Sequence, residues 1–89
     1  MTVLPDVSRR SNIEIIFDIL NASRAGGRKT QLMVRCNLSH PQLRKYLDLG
    51  DQRGLLTKSS EGGSEVYKTS AAGKEFAEHF ICLKNMLDV

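Results

Sequence analysis

The residues of this chain with types and spacing suited to chemistry are cations. Between Arg24 and Leu47 stand six of them, Arg24, Arg28, Lys29, Arg35, Arg44 and Lys45, with no acid in the interval. Guanidinium and ammonium groups gathered in this way recognise phosphate or carboxylate, arginine as a planar fork and lysine as a point charge. A basic run alone is a solvated face. It becomes a polyanion-binding surface when the fold sets its members on one side of an element. Other chemistries are poorly supplied. The sequence has no Gly-rich phosphate cradle, no clustered carboxylate pair and no Ser, His and Asp set that periodicity brings together, so no enzyme is expected. Cys36 with His40, and His79 with Cys82, are zinc-ligand types, but there is no CxxC knuckle and Cys36 falls on an apolar helix face. No metal or other cofactor is expected, and Cys36, Cys82, Met33 and Met86 read as apolar fillers.

The elements that must position the cations lie between Thr30 and Gly54, TQLMVRCNLSHPQLRKYLDLGDQRG. Thr30 caps a short helix with Leu32, Met33 and Cys36 inward. Asn37 suits the left-handed geometry that ends it, and Leu38 plugs the turn. Ser39 with Gln42 makes a capping box for a second helix. Pro41 sits in its first turn, where a missing N–H costs nothing, and leaves Ser39 or His40 as the cap. At 100° per residue Leu43, Leu47 and Gly50 share one face with Tyr46 at its border, while Arg44, Lys45, Asp48 and Gln52 share the other. That spacing is helix-turn-helix. Asp48 is expected to pair with Arg44 or Lys45.

Around this stretch, Ser11 and Glu14 form another capping box and open the helix NIEIIFDILNASRAG. Ile13, Ile16, Phe17 and Leu20 are its expected core stripe, with Ile15 and Ile19 on a spare apolar side. Gly26 and Gly27 end it, and Arg28 and Lys29 form a loop or a very short strand. After Gly54, Leu55 to Lys58 and Glu65 to Thr69 are strand candidates joined by the flexible turn SSEGGS, a hairpin wing. Ser70 caps a last helix with Phe76, Phe80, Leu83 and Leu87 on a heptad-like seam and Ile81 beside it. Residues 1–8 read as a flexible lead-in, 9–70 as the helix-turn-helix domain, and 71–89 as a C-terminal dimerisation helix.

With 89 residues the chain holds one small core, and its 40% hydrophobic and 26% charged content are those of a soluble globular protein. The net charge of +3 is concentrated centrally: nine bases face four acids from Arg24 to Lys68, against two and three on either side. Two cysteines are too few for a disulfide framework, nothing resembles a signal peptide, and no apolar run approaches a bilayer span. A cytoplasmic protein without membrane contact is expected.

The order of elements resembles the winged helix-turn-helix fold, mainly α with a small β-hairpin wing. More closely, IEIIFDILNAS, GGRKTQLMVRCNLSHPQLRKYLDLGDQRGLL and YKTSAAGKEF look like the small archaeal winged-helix DNA-binding proteins that dimerise through a C-terminal helix. Lys29-Thr30, Asn37-Leu38-Ser39, Tyr46-Leu47, Gly54-Leu55, Tyr67 and Gly73 carry the likeness. Gly50 stands where such proteins usually have leucine, so either something packs closely there or the helix bends, and Thr69 stands where an apolar β-branched residue is usual.

The resemblance implies a transcriptional regulator or small chromatin-associated protein on double-stranded DNA, as a homodimer through Phe76, Phe80, Ile81, Leu83 and Leu87, with no small-molecule ligand. The second motif helix would enter the major groove with Arg44 and Lys45 outward and Ser39, His40 and Gln42 at its N-terminal end. Arg28, Lys29 and Arg35 would meet phosphates beside the groove, and Lys58 and Lys68 would do so from the wing. The alternative is a winged-helix protein-interaction module without nucleic acid, for which the mixed charge of the wing at Glu61 and Glu65 speaks.

Overall fold

The capping boxes decide where the helices begin. In the computed structural model, which describes residues 10–87, helix α1 spans Asn12–Ala22. Ser11 Oγ accepts from the Glu14 N–H at 3.3 Å, and Glu14 Oε1 accepts from the Ser11 N–H at 2.9 Å. The lead-in expected over residues 1–8 lies outside the described residues. Ile15, Ile16, Ile19 and Leu20 form the buried face of α1. This corrects the expected stripe: Ile19 is 1% exposed whereas Ile13 is 47% exposed. A helix apolar over most of its circumference has two candidate faces, and periodicity does not say which one meets the core. Adjacent i, i+4 pairs at 15/19 and 16/20 make the wider face and take it. Phe17 turns to the last helix.

Strand β1 is Gly27–Arg28, and helix α2, Lys29–Cys36, follows directly. Arg28, not Thr30, is its N-cap. An arginine side chain has no acceptor, so only the return half of a capping box forms: Gln31 Oε1 accepts from the Arg28 N–H at 3.1 Å. Pairing Arg28 into the sheet fixes its extended backbone, and the helix starts where the pairing stops. Asn37 ends α2 at φ 54 and ψ 55, and the Leu38 N–H reaches back to the Met33 carbonyl at 3.1 Å. Helix α3, His40–Gln52, is capped by Ser39, with Pro41 in its first turn.

Strands β2 (Leu56–Glu61) and β3 (Ser64–Thr69) complete an antiparallel sheet of order β1-β3-β2. Both are longer than expected, so SSEGGS is mostly strand, with Gly62 and Gly63 alone forming the turn at φ 60 and 81. Two successive positive φ values make a type I′ turn, the geometry that matches strand twist. The polar Ser59-Ser60-Glu61 pair through their backbones and carry no apolar alternation that would mark them as a strand.

The core lies between α1, α2, α3 and the sheet, around Ile19, Leu20, Leu32, Leu43 and Leu47. Gly50 sits where α3 crosses β2: an added Cβ would lie 2.7 Å from Leu56 Cδ1 and 3.2 Å from Leu56 Cγ. Close packing is therefore its reason. Thr69 is buried because its hydroxyl donates to the Leu20 carbonyl at 2.5 Å and its N–H to the Ser23 carbonyl at 3.1 Å, joining β3 to the end of α1. Helix α4, Ala71–Met86, is capped by Ser70. Its first half joins the core through Gly73, Ala77 and half-buried Phe76. Phe80 stacks on Phe17 with ring centroids 4.6 Å apart. Ile15 and Ile19 are thus no spare side. Beyond Phe80 the apolar residues stand open, Leu83 at 56% and Leu87 at 75% exposure.

Candidate nucleic-acid interface

Burying Leu43, Tyr46, Leu47 and Gly50 on one side of α3 leaves Arg44, Lys45, Asp48 and Gln52 exposed on the other. Among the described residues no ion pair involves α3, so the expected pairing of Asp48 with Arg44 or Lys45 does not form. Lys45 Nζ stands 5.3 Å from the centroid of the Tyr46 ring, a cation–π contact that steadies its stem and leaves its charge available.

Two residues ahead of the motif, Arg10 and Asn12, tie it to the start of α1. Arg10, just ahead of α1, donates to Asp18 Oδ2 at 2.6 Å, to the Cys36 carbonyl at 2.6 Å and to the Asn37 carbonyl at 3.3 Å. A guanidinium at the C-terminal end of α2 satisfies carbonyls the helix leaves open and complements its dipole. The Tyr46 hydroxyl donates to Asn12 Oδ1 at 2.5 Å and fastens α3 to the start of α1. No local sequence signal marks Arg10, because its partners lie 8 to 27 residues away.

The residues expected at the end of α3 divide. His40 is exposed. Ser39 and Gln42 are occupied with each other: Gln42 Oε1 accepts from both the Ser39 N–H and hydroxyl at 3.0 Å. Gln42 keeps only its amide NH2 for an incoming acceptor. Arg35 leans back on α1, with Nη1 donating to the Ala22 carbonyl at 3.4 Å.

The wing separates its two lysines. Directly paired residues share a face of a sheet and successive residues alternate. Lys68 pairs with Thr57, and Arg28 with Val66. Those residues line an open cleft of about 260 Å³ with Ser59, Gln31 and Glu61. Lys58 pairs with the buried Tyr67 and so points to the opposite, helix-side face, one diagonal step from Glu65. Glu65 Oε1 lies 3.4 Å from Lys29 Nζ and Glu65 Oε2 lies 3.7 Å from Lys58 Nζ. The hydrogen bond from Lys29, then the charge of Lys58, hold the Glu65 carboxyl below its ordinary pKa. The Tyr67 hydroxyl donates to Glu65 Oε1 at 3.3 Å. Burial, then the Glu65 carboxylate, push its pKa up to about 12, so it remains a neutral donor. The hairpin register would have set Lys58 one diagonal step from Glu65 from sequence had the turn been assigned to Gly62-Gly63, but Lys29 of α2 is brought in only by the tertiary fold.

The cysteines take no part. Cys36 is buried in the core, where desolvation raises its thiol pKa, and Cys82 is exposed on α4. No helix among the described residues is long and apolar enough to cross a membrane.

A family model for the winged helix-turn-helix matches residues 9–88. No curated protein matches the chain. Among solved structures it is similar to Sso10a-2, a DNA-binding protein from Sulfolobus solfataricus, with 27% identity and a TM-score of 0.79 over 88% of this chain and 85% of that one. It shares its fold with BldR, a transcriptional regulator from the same organism, at 16% identity and a TM-score of 0.71 over 85% of this chain and 62% of that one. It also shares its fold with MepR, a transcription regulator of the Staphylococcus aureus multidrug efflux pump MepA, at 9% identity and a TM-score of 0.74 over 86% and 58%.

Proposed function

The chain belongs to the winged helix-turn-helix family, and from that premise we propose that it is a cytoplasmic transcriptional regulator that binds duplex DNA and has no catalytic activity. Helix α3 enters the major groove, and the β2–β3 hairpin lies along the flanking backbone. The observation that carries this reading is the outer face of α3, where Arg44 and Lys45 stand exposed, without carboxylate partners among the described residues, above a buried inner face. Arginine and lysine so placed serve both phosphates and the N7 and O6 of guanine. The likeness to a DNA-binding protein at 27% identity supports the same reading. His40 and the Gln42 amide sit at the helix end where base edges are met, and Arg28, Lys29, Lys58 and Lys68 serve the backbone.

The decisive experiment is a titration with genomic DNA fragments at two salt concentrations. A dimer engaging about six phosphates gives a slope of log K on log salt near −5, a loss of about three decades between 50 and 200 mM. No binding at low salt would sink the reading in favour of a protein-interaction module.

We further propose that the protein is a homodimer joined through the end of α4, where Leu83, Met86 and Leu87 are exposed on one side and Ile81 on another. Ile13 adds apolar surface beside a groove of about 340 Å³ that Leu49, Leu55 and Phe76 also line. So many exposed large apolar side chains are unusual on a monomer of this size. Phe80 and Phe76 already pack within the chain, so Leu83→Glu with Leu87→Glu is the cleaner probe. Sedimentation at micromolar concentration should give a dimer for the wild type and a 9.9 kDa species for the double variant. A 9.9 kDa wild type would remove the dimer.

A further inference from the structure

Three donors from three elements converge on one carboxylate. Lys29 from the first turn of α2, Lys58 from β2 and the Tyr67 hydroxyl from β3 all reach Glu65, at 3.4, 3.7 and 3.3 Å. Beside the carboxylate opens a groove of about 280 Å³ lined by Arg28, Lys29, Thr30, Ser64 and Glu65, which gives an anion room to approach. Two ammonium groups and a hydroxyl around a pair of anionic oxygens are a donor set that a phosphodiester can use. All three charged partners are partly open to solvent, so the arrangement can exchange one anion for another without unfolding.

We propose that Lys29, Lys58 and Tyr67 form a phosphate site for the DNA backbone and that Glu65 is its resident competitor. In the free protein the carboxylate takes the phosphate's place; on the duplex, Lys29 and Lys58 pass from carboxylate to phosphate. The inference rests on the DNA-binding reading and names a site within it. Glu65 cannot leave, because β3 holds it in register opposite Ser60. It therefore stays beside the entering phosphate, repels it, and makes this corner of the surface a weak contributor that admits only an anion able to engage both lysines together. The Glu65 carboxyl, held below its ordinary pKa first by Lys29 and then by Lys58, remains charged throughout the neutral range.

Glu65→Gln removes the charge and keeps the shape. On a duplex oligonucleotide, followed by fluorescence anisotropy across a salt series, this variant should bind about threefold to tenfold tighter per protomer than the wild type. Its salt slope should be steeper by about one per protomer, because both lysines then meet phosphate with their full charge. Adding Lys58→Ala should cancel that gain while costing the wild type little. A wild type that binds DNA with Glu65→Gln unchanged or weaker would overturn the proposal and leave the DNA reading intact. A second measurement separates the two claims. In a pyrophosphate titration followed by NMR, the side-chain signals of Lys29 and Lys58 should shift at lower concentration in Glu65→Gln than in the wild type. Absence of that shift in both proteins overturns the site whatever happens with DNA. The shift without DNA binding by either protein upholds the anion site and sinks the DNA reading instead.

Discussion

On α3 the cations Arg44 and Lys45 stand exposed with no carboxylate among the described residues in pairing range, whereas on the wing Lys58 shares Glu65 with Lys29, and Lys68 shares its cleft with Glu61. The cause is the secondary structure. A helix turns its apolar positions inward and lifts consecutive cations out on one face, away from any neighbouring strand. A hairpin sets every residue beside cross-strand and diagonal neighbours, so opposite charges two pairs apart, as Lys58 and Glu65 are, find one another. The excess of nine bases over four acids in the middle of the chain therefore overstates the charge that a partner meets on the wing. Attraction for a polyanion is concentrated on α3, and the wing trims it.

The largest effect should expose that contrast. Arg44→Ala with Lys45→Ala is expected to weaken DNA binding by about 100-fold and to reduce the salt slope by about two per protomer. Lys58→Ala should cost less than about threefold, since its charge is already met by Glu65. Thermal melts should be unchanged for both, unlike Leu43→Ala, which should lose about 2–5 kcal/mol of stability. Equal losses of affinity from the helix and the wing would erase the comparison.

How much of this was legible in the sequence depended on distance along the chain. The capping boxes at Ser11/Glu14 and Ser39/Gln42, the left-handed Asn37 and the plug Leu38 involve residues within five positions of each other, and each lies where spacing put it. The start of α2 was missed because β1 is defined by its pairing with β3, some forty residues later. The buried face of α1 was missed for a related reason: Ile13, Phe17 and Ile15, Ile19 make equally good stripes until the neighbours on each side are known. At the candidate site, α3's outer face followed from periodicity. The Glu65 cluster and the Arg10 clamp did not, because both join elements that only the tertiary fold brings together.

A smaller effect should come from the joint between the two regions. Gly50→Ala puts a methyl 2.7 Å from Leu56 Cδ1 and 3.2 Å from its Cγ, and Leu56 is too deeply buried to swing aside. Overpacking of this kind costs about 1–3 kcal/mol, partly offset by about 1 kcal/mol of better helix propensity. The net expectation is a domain destabilised by about 1 kcal/mol in urea titrations, the middle of that balance. Leu56→Ala should recover part of the strain in the same background. A Gly50→Ala variant more stable than the wild type would mean that α3 and β2 sit further apart in solution, and that helix and wing are less rigidly joined than the contact implies.

The smallest effect is the dependence of stability on pH, and it tests whether the wing is neutralised in solution at all. Glu65 has its folded pKa lowered from the ordinary 4.5 by Lys29 and Lys58. A lowered folded pKa contributes stability that is present above the unfolded value and lost as pH falls through the folded one. Glu14, lowered by its hydrogen bonds to Ser11, adds a loss of the same sign at the cap of α1. Both carboxyls are open to solvent, so the change is slight. Tyr67 acts at the other end. Its folded pKa is raised from 10 to about 12, so its contribution is present below 10 and lost as pH rises toward 12. Because Glu65 is a cause of both wing shifts, Glu65→Gln should flatten the acid loss to what Glu14 supplies and shallow the alkaline one, where burial of Tyr67 remains. Urea titrations from about pH 3 to 5 and from about pH 9 to 11 would measure both limbs. If Glu65→Gln leaves the acid limb as steep as in the wild type, Lys29 and Lys58 are not held by Glu65 in water. Their charge would then be as available as that of Arg44 and Lys45, and the contrast between wing and helix would disappear.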